Sequence, residues 1–447
     1  MSDTDLHPRL WTITECYPRP DRLNDCAFAH RQLAGLAQFG WSTSVLVPNG
    51  WYPPVLWRAA PAWREAREAH IPDGWALDGI RVGDLVYQNR VPSRLSNPFT
   101  TAERVRDALI GRLDREGVSR NRDILLCQFA LPYGALAADA ARKLDIPFVV
   151  QLRGDDVWIW PRKDHGTLQA FRQSIGGADL VLSVSRALID GAAALCEGIM
   201  PPTAVVPNGI DTVQFRPAAH EEEKFRLRRQ LGVGDDKLVI LCVANALLRK
   251  GWKELLDALG ELDTHNIVLL GVTASTGGDF DIVFEASRCA PALPVRLFNG
   301  LHGAELADLY RAADVFCLPS HWEGMSNAVL EAMASGLPVV TSSVAGHPEV
   351  ITSFTDGILI PPRDSSALTE ALRSVLDSKE LRTRLGIAAR RRALGVGDSA
   401  KAGARLAYLF NALKRGAPAT VFGEENPYAE VGPVPPGETA VSLSVAS

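Results

Sequence analysis

Residues 318–349 read LPSHWEGMSNAVLEAMASGLPVVTSSVAGHPE, and this stretch decides the fold. An apolar run ending at Pro319 predicts a buried strand, followed by a loop that holds Glu323 and Gly324. Ser326 is a good N-cap for a helix beginning at Asn327, and Gly336 and Pro338 stop that helix. A second apolar run, Pro338–Ser342, restarts the pattern as a strand apolar on both faces. Strand, loop, helix and strand in this order form a unit of a parallel sheet. A helix N-terminus at the carboxyl edge of such a sheet offers unpaired N–H groups to an anion, and Gly324 lets a ligand come close to the backbone. Glu323 and Glu331 would repel phosphates but suit the hydroxyls of a sugar or ribose. Taken alone, two acids so spaced fit a solvated helix face equally well.

Working outward, His302–Ser320 supplies the helix Gly303–Ala312 and the strand Val315–Pro319 that lead into this segment. Val243–Gly251, VANALLRKG, ends a strand over Leu238–Val243. Lys250 there can neutralise a diphosphate, and Arg249 can assist. Strands Asn266–Gly271 and Val295–Phe298 and helices Trp252–Leu259 and Asn327–Ala334 complete this series. An earlier series has strands Leu10–Thr14, Thr43–Pro48, Ile124–Phe129, Pro147–Leu152, Leu180–Val184 and Ala204–Pro207. Helices Ala27–Phe39, Gly134–Leu144 and Arg186–Leu195 lie between them. The polar stretch Pro217–Gln230 separates the two series. The expected fold class is α/β, with two Rossmann-like parallel-sheet domains facing a central cleft, where ligands of such sheets bind. Residues 416–447 are rich in Pro, Gly and Ser, contain no Lys or Arg, and read as a disordered tail.

The chain has 447 residues and a formal charge of -5, so it lacks the basic field that holds nucleic acid. Its polar N-terminus does not read as a secretory signal, and its longest apolar run, Leu238–Leu248, is too short to span a bilayer. Seven scattered cysteines with no CxxC pair predict reduced thiols in a cytoplasmic protein. No G-x-G-x-x-G follows the first strand, which sets aside a dinucleotide oxidoreductase. Asp279-Phe280-Asp281 reads as a chance DxD in a glycine-rich loop. His302, His321 and His347 lack metal-ligand spacing, so no metal is expected, and His321 reads as a surface residue. Trp51–Arg67 mixes tryptophan with arginine, which suits either a peripheral membrane contact or a loop packed on its own domain. Lys224–Arg229 and Arg390–Arg392 read as solvated helix faces.

Three segments together resemble glycosyltransferase family 4 (glycosyl transferases group 1), retaining enzymes of the GT-B fold. They are VPNGIDTVQF (206–215), LLRKGWKELLDAL (247–259) and the 318–350 run with its AVLEAMASGLPVVTS and AGHPEV. FAHRQLAGLAQFGWSTSVLVP (28–48) and LPYGALAADAARKLDIPFVVQLRGDDV (131–157) resemble the family's first half more loosely. The resemblance implies an acceptor-side domain over 8–215 and a nucleotide-sugar-binding domain over 216–399. A helix over 400–415 would cross back onto the first domain. It implies a nucleotide-diphosphate sugar as co-substrate, no metal cofactor, and a saccharide, glycolipid or small metabolite as acceptor. Polysaccharide assembly in the cytoplasm, at the inner face of the membrane, is the implied setting.

By the same resemblance Glu323, Lys250 and Arg153 are the catalytic candidates. Lys250 and Arg249 would meet the diphosphate, Glu331 the ribose and Glu323 the transferred sugar. Backbone N–H groups of Gly324, Met325, Ser326 and Asn327 would cradle the donor. Arg153, Asp155 and Asn24 are acceptor-side candidates, with a structural Arg153–Asp155 pair as the other reading of LRGDD. Asn245 stands on the donor side where the family often has Arg, and Asn24-Asp25 stands where it usually has a Gly-Gly pair. Those two departures keep open a non-catalytic partner subunit as the alternative function. Lys250, Arg249 and the helix N-terminus are together expected to make the cleft positive.

Overall fold

A computed structural model of the chain describes residues 7–20, 26–51, 71–72, 74–88, 102–273 and 278–417. The first half runs β1 (Arg9–Ile13), α1 (Ala27–Ala37), β2 (Ser42–Trp51), β3 (Ala76–Leu77), β4 (Ile80–Gln88), α2 (Ala102–Arg115) and β5 (Asp123–Cys127). It continues through α3 (Gly134–Lys143), β6 (Phe148–Leu152), α4 (Asp155–Trp158), α5 (His165–Gly176), β7 (Leu180–Ser183), α6 (Arg186–Leu195) and β8 (Thr203–Val205). These strands form one sheet in the order β3-β4-β2-β1-β5-β6-β7-β8, parallel except for the β3–β4 hairpin.

The second half runs α7 (Glu221–Gln230), β9 (Leu238–Val243), α8 (Trp252–Gly260), β10 (Ile267–Thr273), α9 (Ile282–Cys289), β11 (Val295–Asn299) and α10 (Gly303–Ala312). Then come β12 (Val315–Leu318), α11 (Asn327–Ala334), β13 (Val339–Ser342), α12 (His347–Val350), β14 (Ile358–Ile360), α13 (Ser365–Asp377) and α14 (Lys379–Val396). Its sheet is parallel, in the order β11-β10-β9-β12-β13-β14. Strand order reverses between β1 and β5 in one sheet and between β9 and β12 in the other. Crevices open beyond the carboxyl ends of strands at such reversals. The loops after β9 and β12 carry Lys250 and Glu323, so both come from the second reversal.

The last helix, α15 (Ser399–Lys414), returns to the first half. Leu406, Leu409 and Phe410 are buried with Leu10, Leu33, Leu36 and Trp41 of the first sheet and α1. Trp41 and Phe410 meet edge to face at 5.5 Å. The helices α1 and α15 cross where Gly35 meets Gly403, and a Cβ on either would collide with the opposing backbone. The arginine Arg405 clips the crossing to the sheet through Nε and the Val205 carbonyl, 2.7 Å apart. No described helix is long and apolar enough to cross a membrane.

The structure corrects several sequence expectations. Cys16 and Cys26 form a disulfide, because the loop after β1 brings their Cα atoms to 5.6 Å. Cys127, Cys196, Cys242, Cys289 and Cys317 are free thiols, as expected. The polar stretch before β9 carries α7, in line with the reading of Lys224–Arg229 as a helix face. Lys224 and Arg228 on α7 are not solvated: both pair with Asp314, Lys224 at 2.7 Å. Arg390 and Arg392 are also drawn inward. Arg390 donates to the carbonyls of Thr212, Phe215 and Ala334, and Arg392 to those of Glu349 and Val350. Asn24, Asp25, the segment after Trp51 and the region after residue 417 lie outside the described residues.

Candidate active site

The helix α11 begins where the sequence places it. Ser326 caps it, its hydroxyl accepting from the Val329 N–H. The loop before it threads against the first half so closely that a Cβ on Gly324 would collide with the Arg153 carbonyl oxygen. Gly324 is therefore required for contact between the halves as well as for exposing backbone N–H groups.

Lys250 ends the one-turn helix after β9, and its Nζ donates to Glu323 Oε1 at 2.6 Å. Ser320 Oγ donates to the same oxygen at 2.8 Å. Burial pushes the Glu323 carboxyl up, but the Lys250 ammonium and these hydrogen bonds outweigh it and hold the group below the usual carboxylate range. The site thus presents an ionised glutamate and a lysine side by side at a helix N-terminus. Beside them His347 is fully buried, its Nδ1 donating to the Ser342 carbonyl at 3.0 Å. Burial pushes the imidazole down.

Glu331 lies one turn into α11 and is buried. Tyr310 of α10 donates to its Oε2 at 3.2 Å. Its Oε1 meets Arg31 of α1, from the opposite half, at 3.3 Å. Burial pushes the Glu331 carboxyl up, with Arg31 and Tyr310 opposing.

Arg153 does not pair with Asp155. Its guanidinium donates to Gln128, to Asn208 at 2.5 Å and to Gln32 at 2.8 Å, and it lies 5.0 Å from the Phe28 ring. Burial pulls it down to about 9, with Asp156 opposing, which leaves it a cation at neutral pH. Asp156 instead accepts from the N–H groups of Ala130, Arg153 and Gly154 and fixes the loop. Asp155 faces Arg249 across the cleft at 3.5 Å. The guanidinium of Arg249 lies 5.8 Å from the Trp322 ring. Asn245 is exposed, and its carbonyl accepts from Trp252 Nε1 at 3.0 Å.

Two further contacts close the halves on each other. Asn208 Nδ2 donates to Asn327 Oδ1 at 2.9 Å. The Glu349 carboxylate accepts from the N–H groups of Arg186 and Ala187 at the start of α6, at 2.8 and 2.9 Å.

The donor candidates Lys250, Glu323, Gly324, Met325, Ser326, Asn327 and Glu331 are thus brought to one place, with Arg249 and Asp155 at its edge. The expected positive cleft is qualified: Lys250, Arg249 and Arg31 each face a carboxylate, while Arg153 is held by neutral amides. Sequence reasoning missed Arg31, Gln32, Gln128, Asn208, Tyr310 and Glu349 as site residues. These residues lie in segments far apart in sequence, and no spacing rule links them. His321 is not a surface residue: its Nε2 meets Glu254 at 2.9 Å with little exposure. The DxD is structural, Asp279 accepting from the Leu248 N–H and Asp281 capping α9. Among the described residues no cluster of His, Cys, Asp and Glu could hold a metal ion.

Two family models divide the chain between them. Glycosyltransferase Family 4 matches residues 28–214, and Glycosyl transferases group 1 matches 223–392. A Bacillus subtilis protein carrying the name of a teichuronic acid biosynthesis glycosyltransferase, TuaC, is 28% identical over 81% of this chain and 87% of its own length. A Mycolicibacterium smegmatis protein named a GDP-mannose-dependent alpha-(1-6)-phosphatidylinositol monomannoside mannosyltransferase is 29% identical over 79% of this chain and 89% of its own. The crystal structure of Anabaena HepE in complex with UDP-glucose superposes with a TM-score of 0.65, at 16% identity, over 91% of this chain and 100% of that one. The two matched ranges fall one on each half, and the two parallel sheets agree with the structural superposition: the chain is a GT-B glycosyltransferase and belongs to glycosyltransferase family 4.

Proposed function

We propose that the protein moves a sugar from a nucleoside-diphosphate donor to an acceptor with retention of configuration and without a metal ion. The observation that carries this is the Lys250–Glu323 pair at the N-terminus of α11. A departing diphosphate needs preorganised positive charge, and Lys250 with the unpaired N–H groups of Gly324 to Asn327 supplies it. Glu323 receives hydroxyls of the transferred sugar, and its ionised state suits it to accept them. Glu331 receives the ribose hydroxyls. The leaving phosphate oxygen takes the acceptor proton on the same face of the sugar, so no separate strong base is called for.

Arg153, fixed by Gln32, Gln128 and Asn208, stands on the acceptor side with Asp155. The acceptor class is a saccharide, a lipid-linked saccharide or a small metabolite. The names of the Bacillus and Mycolicibacterium relatives point to cell-surface assembly. GDP-mannose and UDP-glucose in those comparisons leave two nucleotides to separate.

A thermal-shift panel of UDP, GDP, ADP and their sugars separates them. The nucleotide that fits raises the melting temperature by about 5 °C at a hundredfold excess over its dissociation constant. Absence of a shift with every nucleotide contradicts the donor assignment.

A further inference from the structure

Arg31 stands on α1 of the first half, yet its guanidinium reaches Glu331 in the second. The Glu331 side chain is 7% exposed, and its other oxygen is met by the neutral Tyr310 hydroxyl. A carboxylate in that position with only a hydroxyl beside it is driven toward its protonated form. Once protonated, it turns one acceptor oxygen into a donor.

Arg31 is held in place from several sides. Cys26, immediately before α1, is tied to Cys16 by the disulfide. The neighbouring Gln32 accepts from Arg153 and donates to the Pro207 carbonyl at 3.4 Å. Gly35, one turn on, packs against α15. The fold of the first half thus carries a cation to a carboxylate of the second.

We propose that Arg31 is a positioning residue of the donor site, supplied by the acceptor-side half: it keeps the Glu331 carboxylate ionised as an acceptor for donor hydroxyls, and so makes donor recognition complete only when the two halves are closed. This role rests on the reading of Glu331 as the ribose acceptor. The titratable groups facing Glu331 among the described residues are Arg31 from α1 and Tyr310 from α10, with the Cys242 thiol of β9 next to Tyr310. Arg390 of α14 is bound to backbone carbonyls.

The sign follows. Burial already raises the Glu331 carboxyl and Arg31 lowers it, so losing Arg31 raises it further. Hydroxyl binding then weakens at neutral pH and recovers as the pH rises.

Isothermal titration of the full chain with UDP, GDP and ADP, from pH 6 to 9, tests this on the wild type, Arg31→Met, Arg31→Lys, Glu331→Gln and Lys250→Ala. Arg31→Met is expected to bind the preferred nucleotide more weakly than the wild type at neutral pH, and the deficit is expected to shrink as the pH rises. Arg31→Lys restores binding near the wild-type level, and Glu331→Gln is weak at every pH. A loss in Arg31→Met that is constant with pH, or no loss, overturns the proposal. If Lys250→Ala loses binding while Glu331→Gln binds as tightly as the wild type, the donor site stands but the ribose assignment and Arg31's role fall. If the wild type binds none of UDP, GDP and ADP, the donor reading falls and this role with it.

Discussion

The two walls of the cleft are built in different ways. The second-half wall takes Lys250 from the loop after β9 and Glu323 and Glu331 from the loop and helix after β12, two strands that pair directly. Its charges are matched by other charges. The first-half wall gathers Gln32 from α1, Gln128 from beyond β5, Arg153 from beyond β6 and Asn208 from beyond β8, and surrounds one cation with neutral amides. A wall of paired charges suits a ligand whose own charge changes during reaction. A guanidinium fixed by amides keeps its charge available and its direction set, which suits orientation of a partner substrate. In the function proposed above, the second-half wall handles the diphosphate and the amide-held Arg153 positions what attacks.

The largest effect that would break this contrast is at Lys250. Lys250→Ala is expected to slow transfer about a thousandfold, roughly 4 kcal/mol, the scale of removing a preorganised charge-stabilising group. Arg153→Ala should leave nucleotide affinity unchanged when both variants are titrated with the same nucleotide. Next is Gly324→Ala, whose new Cβ meets the Arg153 carbonyl oxygen. Pushing the halves apart by even about 1 Å costs on the order of a hundredfold in turnover. Steady-state kinetics should show that loss, and nucleotide titration should show weaker binding as well, because parting the halves draws Arg31 away from Glu331.

Arg153→Lys keeps the charge but loses the guanidinium fork. An approximately tenfold fall in kcat/KM, expressed in the acceptor's KM, is expected from losing a charged hydrogen bond. A change in donor affinity instead would place Arg153 on the wrong wall.

The smallest effect lies within the second half, at the start of α7. Glu223 is held down to about 2 by Arg216, the Ala219 N–H and Arg311. A carboxyl depressed when folded adds stability above its unfolded value, and that stability is lost as pH falls through the folded one. Glu223→Gln should therefore lower the melting temperature by a few degrees at pH 7, and the difference should vanish near pH 2.

The same contrast explains what was legible in the sequence. The central strands of both sheets and α11 with its serine cap stand within one or two residues of their expected positions, apart from β2, which runs three residues further, because buried parallel strands are continuous apolar runs. The strand β4 was absent from that reading, since Arg81, Gly83 and Asp84 break its apolar character where it lies between β2 and the two-residue β3. The donor wall was readable because α11 and its loop form one continuous segment. The acceptor wall was not, because its polar residues meet only through strand order and domain closure. Cys16–Cys26 and the inward-turned Arg228 and Arg390 were hidden for the same reason: each is decided by a partner far away in sequence or across a loop.

The most direct test of charge-stabilised diphosphate departure is the rate of nucleoside-diphosphate release from the preferred nucleotide sugar, measured in excess EDTA for the wild type and Lys250→Ala. Full wild-type release in EDTA, with an approximately thousandfold loss in the variant, is the predicted result. Release that stops in EDTA and returns with added divalent metal, or that proceeds unchanged in Lys250→Ala, would contradict the account.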